Sequence, residues 1–503
     1  MRKRTRILLT AAGAAVAALG ACQLLLPEKL AVNAPLGQLL MGWGIDPPSE
    51  AELQRRLRVP EGFSVGLYAD SLPGVRFLRL TPTDDLLVSQ PRAGRVTRVR
   101  RDSDGDGASD GAEAVIEGLN RPHGLELSGP WLYVAETDAV GRIRFDPATG
   151  STSGAFERIV TGLPGGENHW SRTIRFGPDG GLYVSIGSSC NVCIEEDPRR
   201  AAMMRFESDG SGGEIFATGL RNAVGFDWQP GTNHLYATDN GRDLLGDELP
   251  PCELNRIERG AFYGWPVANG DRSADPDFGM GQEERIRASL PPAHNFSAHN
   301  APLGIAFLRS PSWPEPYRNA ALVALHGSWN RTRKDGYEVV SLHWMGDGSI
   351  EERPFLTGFL EDDEVIGRPV DVAEDLDGVI YVSDDYAGAI YRVVAGTAPA
   401  PFPRAAAGRN RASDPLAGLA AAEREARSAR GRALYERYAC SGCHEPARAE
   451  PGVVAVPLRA LSDRYDLDGL TAFLATPTPP MPVVMLEETE RSDLAVFLLA
   501  SDG

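Results

Sequence analysis

The stretch GPDGGLYVS, residues 177–185, decides the fold of this chain. It reads as a tight turn of Pro, Asp and Gly that leads into a short apolar strand with a small polar residue at its end. The same strand pattern recurs at residues 86–89, 132–135, 235–238, 322–325 and 380–383. Most copies follow one another after about 45 to 60 residues, the length of one four-stranded propeller blade, and one longer gap indicates an insertion.

Six copies of the pattern predict a mainly β fold, namely a six-bladed β-propeller over residues 60–395. Residues 63–68 are expected to supply the strand that closes the ring against the last blade. The alternative is an irregular array of β-sandwiches. The repeat length favours the propeller, because it matches one blade.

The length and the net charge of the chain limit its number of domains and its possible partners. A chain of 503 residues is too long for one compact core, so two or three domains are expected. The 51 basic and 69 acidic residues give a formal net charge of -18. This balance argues against nucleic acid as a partner and suits a soluble exported protein.

The N-terminus has the pattern of an export signal. Basic residues at positions 2, 3, 4 and 6 precede the apolar run 7–19, which is short for a membrane span. The run ends in LGAC, residues 19–22, which resembles a lipoprotein cleavage site with Cys22 as the lipidated residue. We therefore expect a signal peptide over 1–22, an N-terminal linker over 23–59, and a periplasmic protein held to a membrane by lipid. Plain secretion and an uncleaved anchor are the alternatives.

A second signature lies near the C-terminus, where residues 440–444 read CSGCH. At this spacing Cys440 and Cys443 can form thioether bonds to both vinyl groups of a haem, and His444 can reach the iron. A redox or zinc-binding CxxC is the alternative. Met481, in the segment TPPMP, is the expected second iron ligand, because prolines on both sides fix its loop. Met485 is the competing sulfur and is expected in the core.

Helical patterns flank this motif, at 421–438 before it and at 487–499 after it. The order of helix, haem motif, methionine loop and closing helix resembles a small all-α class I cytochrome c domain. We place that domain at residues 426–503. Residues 396–425, which begin rich in Ala, Pro and Arg, are expected to be a linker from the propeller.

Three further cysteines remain, Cys190, Cys193 and Cys252. In an oxidising compartment a Cys190–Cys193 disulfide is the simplest interpretation, with Cys252 free or competing for one partner. A three-thiolate metal site is the alternative, although no fourth ligand stands nearby.

One acidic loop predicts a bound ion. Asp102, Asp104, Asp106, Asp110 and Glu113 occupy positions 1, 3, 5, 9 and 12 of a calcium-loop pattern that has Gly at position 6. We expect structural calcium here, since no helix pair flanks the loop as in an EF-hand. A solvated acidic turn is the alternative.

Six short motifs within 60–394 occur in the order of a known family: NHWSR at 168–172, GLRNAVG at 219–225, YGWP at 263–266, APLG at 301–304, HGSWNR at 326–331 and GRPVD at 367–371. With them the segment resembles the pyrroloquinoline-quinone-dependent sugar dehydrogenases, the glucose/sorbosone dehydrogenase family. The string HGSWNR is similar to the sorbosone-type branch, which leaves the sugar open. Asn168 stands where the best-known members have Asp.

The resemblance implies roles for particular residues. His169 matches the base that takes the hydroxyl proton, Arg221 the group that stabilises developing charge, and Asn222 a ligand of a quinone oxygen. Arg368 matches a cation that binds the three cofactor carboxylates, and Arg331 can share this role.

Two parts of the family's site match less directly. The cofactor-binding lysine of the family falls in the segment 326–331, so its role cannot be placed on one residue, and His326 is a candidate. The backbone carbonyls of Gly241 and Arg242 match ligands of a calcium ion on the quinone. Cys252 stands in a segment where an acidic residue is expected. His123 and His299 lie in turns where they could contact substrate or serve a structural role.

Together these features predict a quinohaemoprotein. The propeller would oxidise an aldose or a related sugar aldehyde or alcohol, with pyrroloquinoline quinone as the hydride acceptor. A fused haem c would pass the electrons to a downstream cytochrome or quinone pool. The alternatives are a ligand- or partner-binding propeller without chemistry whose haem is a relay, and a different haem enzyme of the kind seen in haem-containing nitrite reductases.

Overall fold

The computed structural model describes residues 30–34, 44–166, 168–396, 415–416, 418–445, 448, 458, 461, 465, 467–475, 477, 481 and 484–501. The predicted signal peptide, with Cys22, and most of the predicted linker 396–425 lie outside the described residues. Within the described part none of the helices is long and apolar enough to cross a membrane.

The strands are, in chain order, β1 (Phe63–Ala69), β2 (Leu78–Leu80), β3 (Leu86–Gln90), β4 (Arg95–Val99), β5 (Ala112–Ile116), β6 (Leu125–Ser128), β7 (Trp131–Ala135), β8 (Ala139–Asp146), β9 (Ser151–Thr161), β10 (Ile174–Phe176), β11 (Leu182–Ile186), β12 (Ala202–Phe206), β13 (Glu214–Thr218), β14 (Ala223–Trp228), β15 (Leu235–Asp239), β16 (Pro251–Ile257), β17 (Ala268–Asn269), β18 (Ser273–Ala274), β19 (His294–Ala298), β20 (Pro302–Phe307), β21 (Ala321–Leu325), β22 (Glu338–Trp344), β23 (Ile350–Leu356), β24 (Leu360–Glu361), β25 (Glu364–Val365), β26 (Pro369–Glu374), β27 (Ile380–Asp384) and β28 (Ala389–Ala395). The helices are α1 (Glu50–Arg56), α2 (Glu283–Ala288), α3 (Ala421–Arg437), α4 (Ser441–His444), α5 (Leu467–Ala475) and α6 (Glu488–Ala500).

These strands form six four-stranded antiparallel sheets, which confirms the predicted six-bladed propeller. The sheets are β2–β5, β6–β9, β10–β13, β14–β15–β16–β19, β20–β23 and β26–β27–β28–β1. The longer gap in the repeat falls in the fourth blade, where β17, β18 and α2 are inserted between the third and fourth strands. The ring closes through β1, whose Phe63 pairs with Ala395 of β28, as predicted for residues 63–68.

The repeat is readable because the second strand of each blade is packed on both sides by neighbouring blades. The strands β3, β11, β15, β21 and β27 are buried at every position. A strand covered on both faces is a continuous apolar run rather than an alternating one. This is why the pattern at 182–185 and its copies stand out.

The antiparallel order of each blade defines two faces of the propeller. The segments before β2, β6, β10, β14, β20 and β26 lie at the same end of the sheets as the loops after β3, β7, β11, β15, β21 and β27. We call this end the upper face. Four inner apolar side chains, Phe77, Val224, Leu303 and Val370, pack together between the faces.

A cavity of about 550 Å³ lies at the opposite, lower face. Its lining includes Arg79, Glu126, Arg175, Asp227 and Arg309 from or beside the inner strands. Side chains of the C-terminal part also line it. None of the residues predicted for the active site is among its lining residues.

The described part of the predicted N-terminal linker packs against the upper face. The amide of Asn33 donates to the carbonyl oxygen of Trp329 at 2.9 Å, and that of Ile45 donates to the carbonyl oxygen of Tyr386 at 2.9 Å. The carbonyl oxygen of Ala31 accepts a 2.6 Å hydrogen bond from Asn330. These residues are therefore attached to the propeller rather than forming a free tether.

The helices predicted at 421–438 and 487–499 are present as α3 and α6, and they cross closely. A methyl group at Gly431 of α3 would meet the backbone of Asp493 and would lie 2.7 Å from Cβ of Phe497. Asp493 also accepts hydrogen bonds from Arg427 at 3.0 Å and from Arg430 at 2.5 Å. Leucines of α3, α5 and α6 share one apolar core. The C-terminal part is thus a helical unit with its own core.

Candidate active site

The propeller topology brings the predicted dehydrogenase residues to one face. His169 precedes β10, Arg221 and Asn222 precede β14, and Arg368 precedes β26, while Gly241 and Arg242 follow β15 and His326 and Arg331 follow β21. All these segments belong to the upper face. Residues from blades that are distant in sequence therefore surround one region.

His169 has the geometry of a base. Its Nδ1 lies 2.9 Å from both the carbonyl oxygen and the hydroxyl oxygen of Ser188. A carbonyl oxygen can only accept, so Nδ1 carries the proton and Nε2 is the unprotonated nitrogen. Among the described residues none forms a hydrogen bond with Nε2. Burial and, next, the charge of Arg221 lower the pKa of His169 to about 3. The imidazole is therefore neutral at ordinary pH and can accept a proton.

His169 and Asn222 approach each other closely over Gly187. A Cβ at Gly187 would lie 2.5 Å from Cβ of His169 and 2.6 Å from Oδ1 of Asn222. His169 itself adopts a left-handed backbone conformation, with φ of 43°. Because such a conformation is uncommon for a residue with a side chain, the surrounding contacts must hold it in place.

Arg221 is held by protein groups through all its donors. Nε donates to the carbonyl oxygen of Asn191 at 2.9 Å, and Nη1 donates to the carbonyl oxygens of Asn240 at 3.1 Å and Gly241 at 2.8 Å. Nη2 donates to Oδ1 of Asn191 at 2.9 Å and to Asp243 at 3.0 Å. A guanidinium has five N–H groups, so none is left for a substrate. Arg221 acts here by position and charge.

Asp243 balances this charge. Burial raises the pKa of Asp243, but the contact with His299 and the charge of Arg221 outweigh it, so the pKa is lowered. His299 donates from Nε2 to the carbonyl oxygens of Gly246 at 2.8 Å and Leu249 at 3.1 Å. These contacts are those of a structural residue.

The carbonyl oxygens of Gly241 and Arg242, the predicted calcium ligands, lie in the loop that follows β15 at the upper face. The carbonyl oxygen of Gly241 already accepts the 2.8 Å hydrogen bond from Arg221. A cation at that oxygen would lie beside a guanidinium. The side chain of Arg242 forms ion pairs with the buried Asp275 at 2.8 Å and with the exposed Asp277 at 2.9 Å.

A second cluster surrounds His326. Nε2 donates to Asp385 at 2.9 Å, and Nδ1 accepts from Nη2 of Arg368 at 3.0 Å, so the imidazole is neutral. Burial and the charge of Arg368 lower its pKa to about 4. Asp385 also accepts a 2.7 Å hydrogen bond from Arg76. Two guanidinium groups thus flank one carboxylate at this place.

This cluster fits an anionic cofactor. The Nε atom of Arg76 is buried and has no hydrogen-bond partner among the described residues. The guanidinium groups of Arg76 and Arg121 also lie 5.8 Å and 4.3 Å from the ring centroid of Trp170. Cations beside an aromatic ring suit a flat ligand that carries carboxylates, as pyrroloquinoline quinone does. Arg368, the cation predicted to bind the cofactor, lies at this cluster.

Arg331 serves a structural role, whereas His123 borders the cluster, because its ring lies edge-on to Trp170 with the centroids 5.5 Å apart. Arg331 donates to the carbonyl oxygens of Asp247 at 2.7 Å and Ala298 at 3.0 Å, and to Glu248 at 3.0 Å, so it ties neighbouring loops together. His123 is fully buried. Its ring contacts Phe77 with centroids 4.3 Å apart.

The predicted disulfide between Cys190 and Cys193 is present. Cys252 is a free, buried thiol, and burial raises its pKa to about 11. Its sulfur accepts a hydrogen bond from the amide of Gly241 at 3.5 Å. The three-thiolate alternative is therefore wrong.

Sequence reasoning missed five residues of this face: Arg76, Ser188, Asn191, Asp243 and Asp385. Ser188 and Asn191 lie in the loop after β11, at the end where the motif residues lie. Asp385 directly follows β27 in the same way. The position after each second strand was thus a usable signal, independent of the family motifs.

The acidic loop lies at the lower face, between β4 and β5. The ligand oxygens of Asp102, Asp104 and Asp110 lie within 4.8 Å of one another. Asp106 and Glu113 are not part of this group. Asp106 accepts from the amide of Ala108 at 2.8 Å. Glu113 is already inside β5, where Arg98 donates to it at 3.2 Å.

The CSGCH motif forms the short helix α4. Cys440 and Met481 are both partly buried against the apolar core shared by α3, α5 and α6. Cys440 and Met481 thus border the same apolar core. The prediction that Met485 is part of the core was wrong, because its side chain is 88% exposed. It belongs to the segment just before α6, which turns this residue outward.

Comparison with known proteins agrees with the propeller. An uncharacterised protein of Borreliella burgdorferi is 38% identical over 216 residues, covering 42% of this chain and 56% of that protein. The pyrroloquinoline quinone-dependent pyranose dehydrogenase of Coprinopsis cinerea is 24% identical over 357 residues, covering 61% of this chain and 47% of that protein. The chain spans about half the length of these curated relatives.

The fold is shared with the holo form of the pyranose dehydrogenase PQQ domain from Coprinopsis cinerea. That structure has a TM-score of 0.59 and 22% identity, and the match covers 69% of this chain and 98% of that domain. A family model described as TrAA12-like matches residues 57–249 and 281–396, more than half of the 503 residues. The chain therefore belongs to the TrAA12-like family.

Proposed function

We propose that this chain is a quinohaemoprotein dehydrogenase, which oxidises an aldose or a related sugar aldehyde or alcohol. The observation that carries the proposal is the state of His169, a neutral imidazole with its proton on Nδ1 and its Nε2 available. Oxidation of a carbinol carbon needs such a base for the hydroxyl proton. The related pyranose dehydrogenase supports a pyrroloquinoline quinone cofactor.

The chain's own residues divide the work. His169 takes the substrate proton at Nε2, and the hydrogen bond from Nδ1 to Ser188 keeps the ring oriented as that proton arrives. Arg76 and Arg368 bind carboxylates of the cofactor, and the amide of Asn222 lies next to the base, where it can bind a quinone oxygen. When bound, pyrroloquinoline quinone supplies the hydride acceptor.

We further propose that residues 426–503 are a cytochrome c domain. Cys440 and Cys443 would attach haem c covalently, with His444 and Met481 as iron ligands, and the iron would carry electrons singly to a cytochrome or quinone pool. Support comes from the packing of Cys440 and Met481 against one helical core. Export to the periplasm with a lipid on Cys22 is part of the same proposal, because haem c is attached outside the cytoplasm.

Calcium is proposed at the acidic loop, as a structural ion. The convergence of Asp102, Asp104 and Asp110 supports it. A second calcium ion, on the quinone, would be held by the backbone carbonyl oxygens of Gly241 and Arg242, since a carbonyl oxygen can accept a hydrogen bond and bind an ion at once. A rise in melting temperature with calcium that is absent in Asp104→Asn would support the structural ion.

The deciding experiment is the visible spectrum of the purified, oxidised protein while pyrroloquinoline quinone, calcium and a panel of aldoses are added. If the bands of reduced haem appear only when quinone and sugar are both present, the result supports both the dehydrogenase propeller and the cytochrome c domain. The variant His169→Gln should bind quinone and haem but lose the reduction. Haem that no combination reduces would reject the dehydrogenase and favour a propeller that binds a ligand without chemistry.

A further inference from the structure

The loop closed by the Cys190–Cys193 disulfide contacts both His169 and Arg221. It follows β11 and lies beside the segment that carries His169. Ser188, at its start, accepts from Nδ1 of His169 at 2.9 Å and donates from its hydroxyl to the carbonyl oxygen of Cys190 at 2.7 Å. The orientation of the base therefore depends on a residue that is hydrogen-bonded to the backbone of Cys190, one of the two disulfide cysteines.

Asn191 lies inside the four-residue ring that the disulfide closes. Its carbonyl oxygen and its Oδ1 each accept a 2.9 Å hydrogen bond from Arg221. Oδ1 also accepts from the amide of Asp243 at 2.8 Å, and Nδ2 donates to the carbonyl oxygen of Asp243 at 3.2 Å. One side chain thus joins the cation and its counter-ion, which come from different loops of the next blade.

We infer that residues 188–193 form a disulfide-closed clamp, in which Asn191 is a positioning residue for Arg221 and, through it, for His169. This inference rests on the proposed function. The four-residue ring restricts the loop conformations, so both acceptors of Asn191 stay aimed at the guanidinium. Arg221 is thereby held where its charge, the next cause after burial of the lowered pKa, helps to keep Nε2 of His169 unprotonated.

The clamp is braced on its outer side by Glu195. The amide and the hydroxyl of Ser189 both donate to its carboxylate at 2.7 Å. These contacts hold the start of the loop but reach neither Arg221 nor His169. Loss of the disulfide should therefore loosen the Asn191 end of the loop while the Ser189 end stays attached.

The test compares Asn191→Ala and the double variant Cys190→Ser/Cys193→Ser with Val192→Ala. Val192 is in the same ring but supplies no side-chain hydrogen bond. We expect kcat for sugar oxidation to fall about ten- to a hundredfold in the first two, with KM changing less, because displacement of a catalytic group costs rate more than binding. Val192→Ala should stay within about twofold of the wild type. Asn191→Asp, which keeps the acceptor oxygen, should recover part of the loss.

A second measurement does not need the loaded enzyme. The pKa of His169 in the apo protein, followed by nuclear magnetic resonance, should rise in Asn191→Ala and in the disulfide variant, since Arg221 is no longer fixed beside it. An unchanged pKa together with wild-type kcat overturns the clamp. So does a loss of activity that parallels a loss of thermal stability while the pKa stays unchanged. If the wild type oxidises no sugar, the proposed function fails, and this titration still decides the clamp.

Discussion

The pKa of His169 provides the most direct test of the site. Its ordinary value is 6.5, and the structure lowers it to about 3 through burial and the nearby charge of Arg221. At pH 5 a pKa of about 3 leaves about 99% of the imidazole neutral, whereas the ordinary value would leave about 3%. The active base should thus be about thirtyfold more abundant at pH 5 than an unperturbed histidine would be.

Two assays measure this difference. In the apo protein, the imidazole signals that disappear in His169→Gln identify the residue, and their shifts across the pH range give its pKa. In the loaded enzyme, kcat/KM for sugar oxidation should not fall between pH 7 and pH 5 through protonation of His169. The variant Arg221→Gln removes the charge, so the pKa of His169 should rise toward 6.5 in the first assay and an acid limb should appear in the second.

The free energy of unfolding should also depend on pH through the protonation of His169. Below pH 6.5 the unfolded chain binds a proton at His169 that the folded chain binds only near pH 3. The contribution of His169 to the free energy of unfolding is therefore complete above pH 6.5 and declines as the pH falls toward 3. A wild-type titration centred near pH 6.5 would refute the reasoning about burial and charge.

Three further changes test other parts of the molecule. Met481→Ala should abolish the methionine–iron charge-transfer band of the oxidised haem, whereas Met485→Ala, at an exposed position, should leave it intact; the reverse result would exchange the two residues. Gly431→Ala should destabilise the C-terminal helical unit by about 1 to 2 kcal/mol, because overpacking outweighs the gain in helix propensity, and calorimetry should show the propeller transition unchanged. Gly187→Ala should lower sugar oxidation at least about tenfold by separating the base from its neighbouring amide, while Gly346→Ala, whose added methyl meets no atom within 4 Å, should have no effect.

The propeller could be predicted because its signal is repeated and physical. Each second strand is buried from both sides, so its apolar run survives in every blade. The ring-closing strand β1 was also predictable, since a closed propeller needs one more strand for its last blade. The disulfide followed from spacing and compartment, because Cys190 and Cys193 are three residues apart.

The partners of individual side chains were harder to predict. Motif position placed Arg221 at the site, but only the structure shows that its five N–H groups are all used by the protein. The same contacts show that the carbonyl oxygen of Gly241, a predicted calcium ligand, also accepts a hydrogen bond from Arg221. The spacing of the acidic residues predicted Glu113 as a ligand in an ion-binding loop. In the structure Glu113 is instead part of β5, where it pairs with Arg98 of β4. These outcomes depend on neighbours distant in sequence, which local patterns do not encode.

The division of roles at the upper face follows from these contacts. Burial and a nearby cation each keep a histidine neutral at a pH below its ordinary pKa, and His169 has both. A cation with free donors would move toward each bound substrate. Its distance from the base, and so the pKa of the base, would then vary during turnover. Arg221 avoids this because the loops that carry Asn191, Gly241 and Asp243 use all its donors. The cations that fit cofactor binding, Arg76 and Arg368, lie instead beside His326 and Asp385. The site thus separates the charge that tunes the base from the charges proposed to bind the cofactor, so each can change without the other.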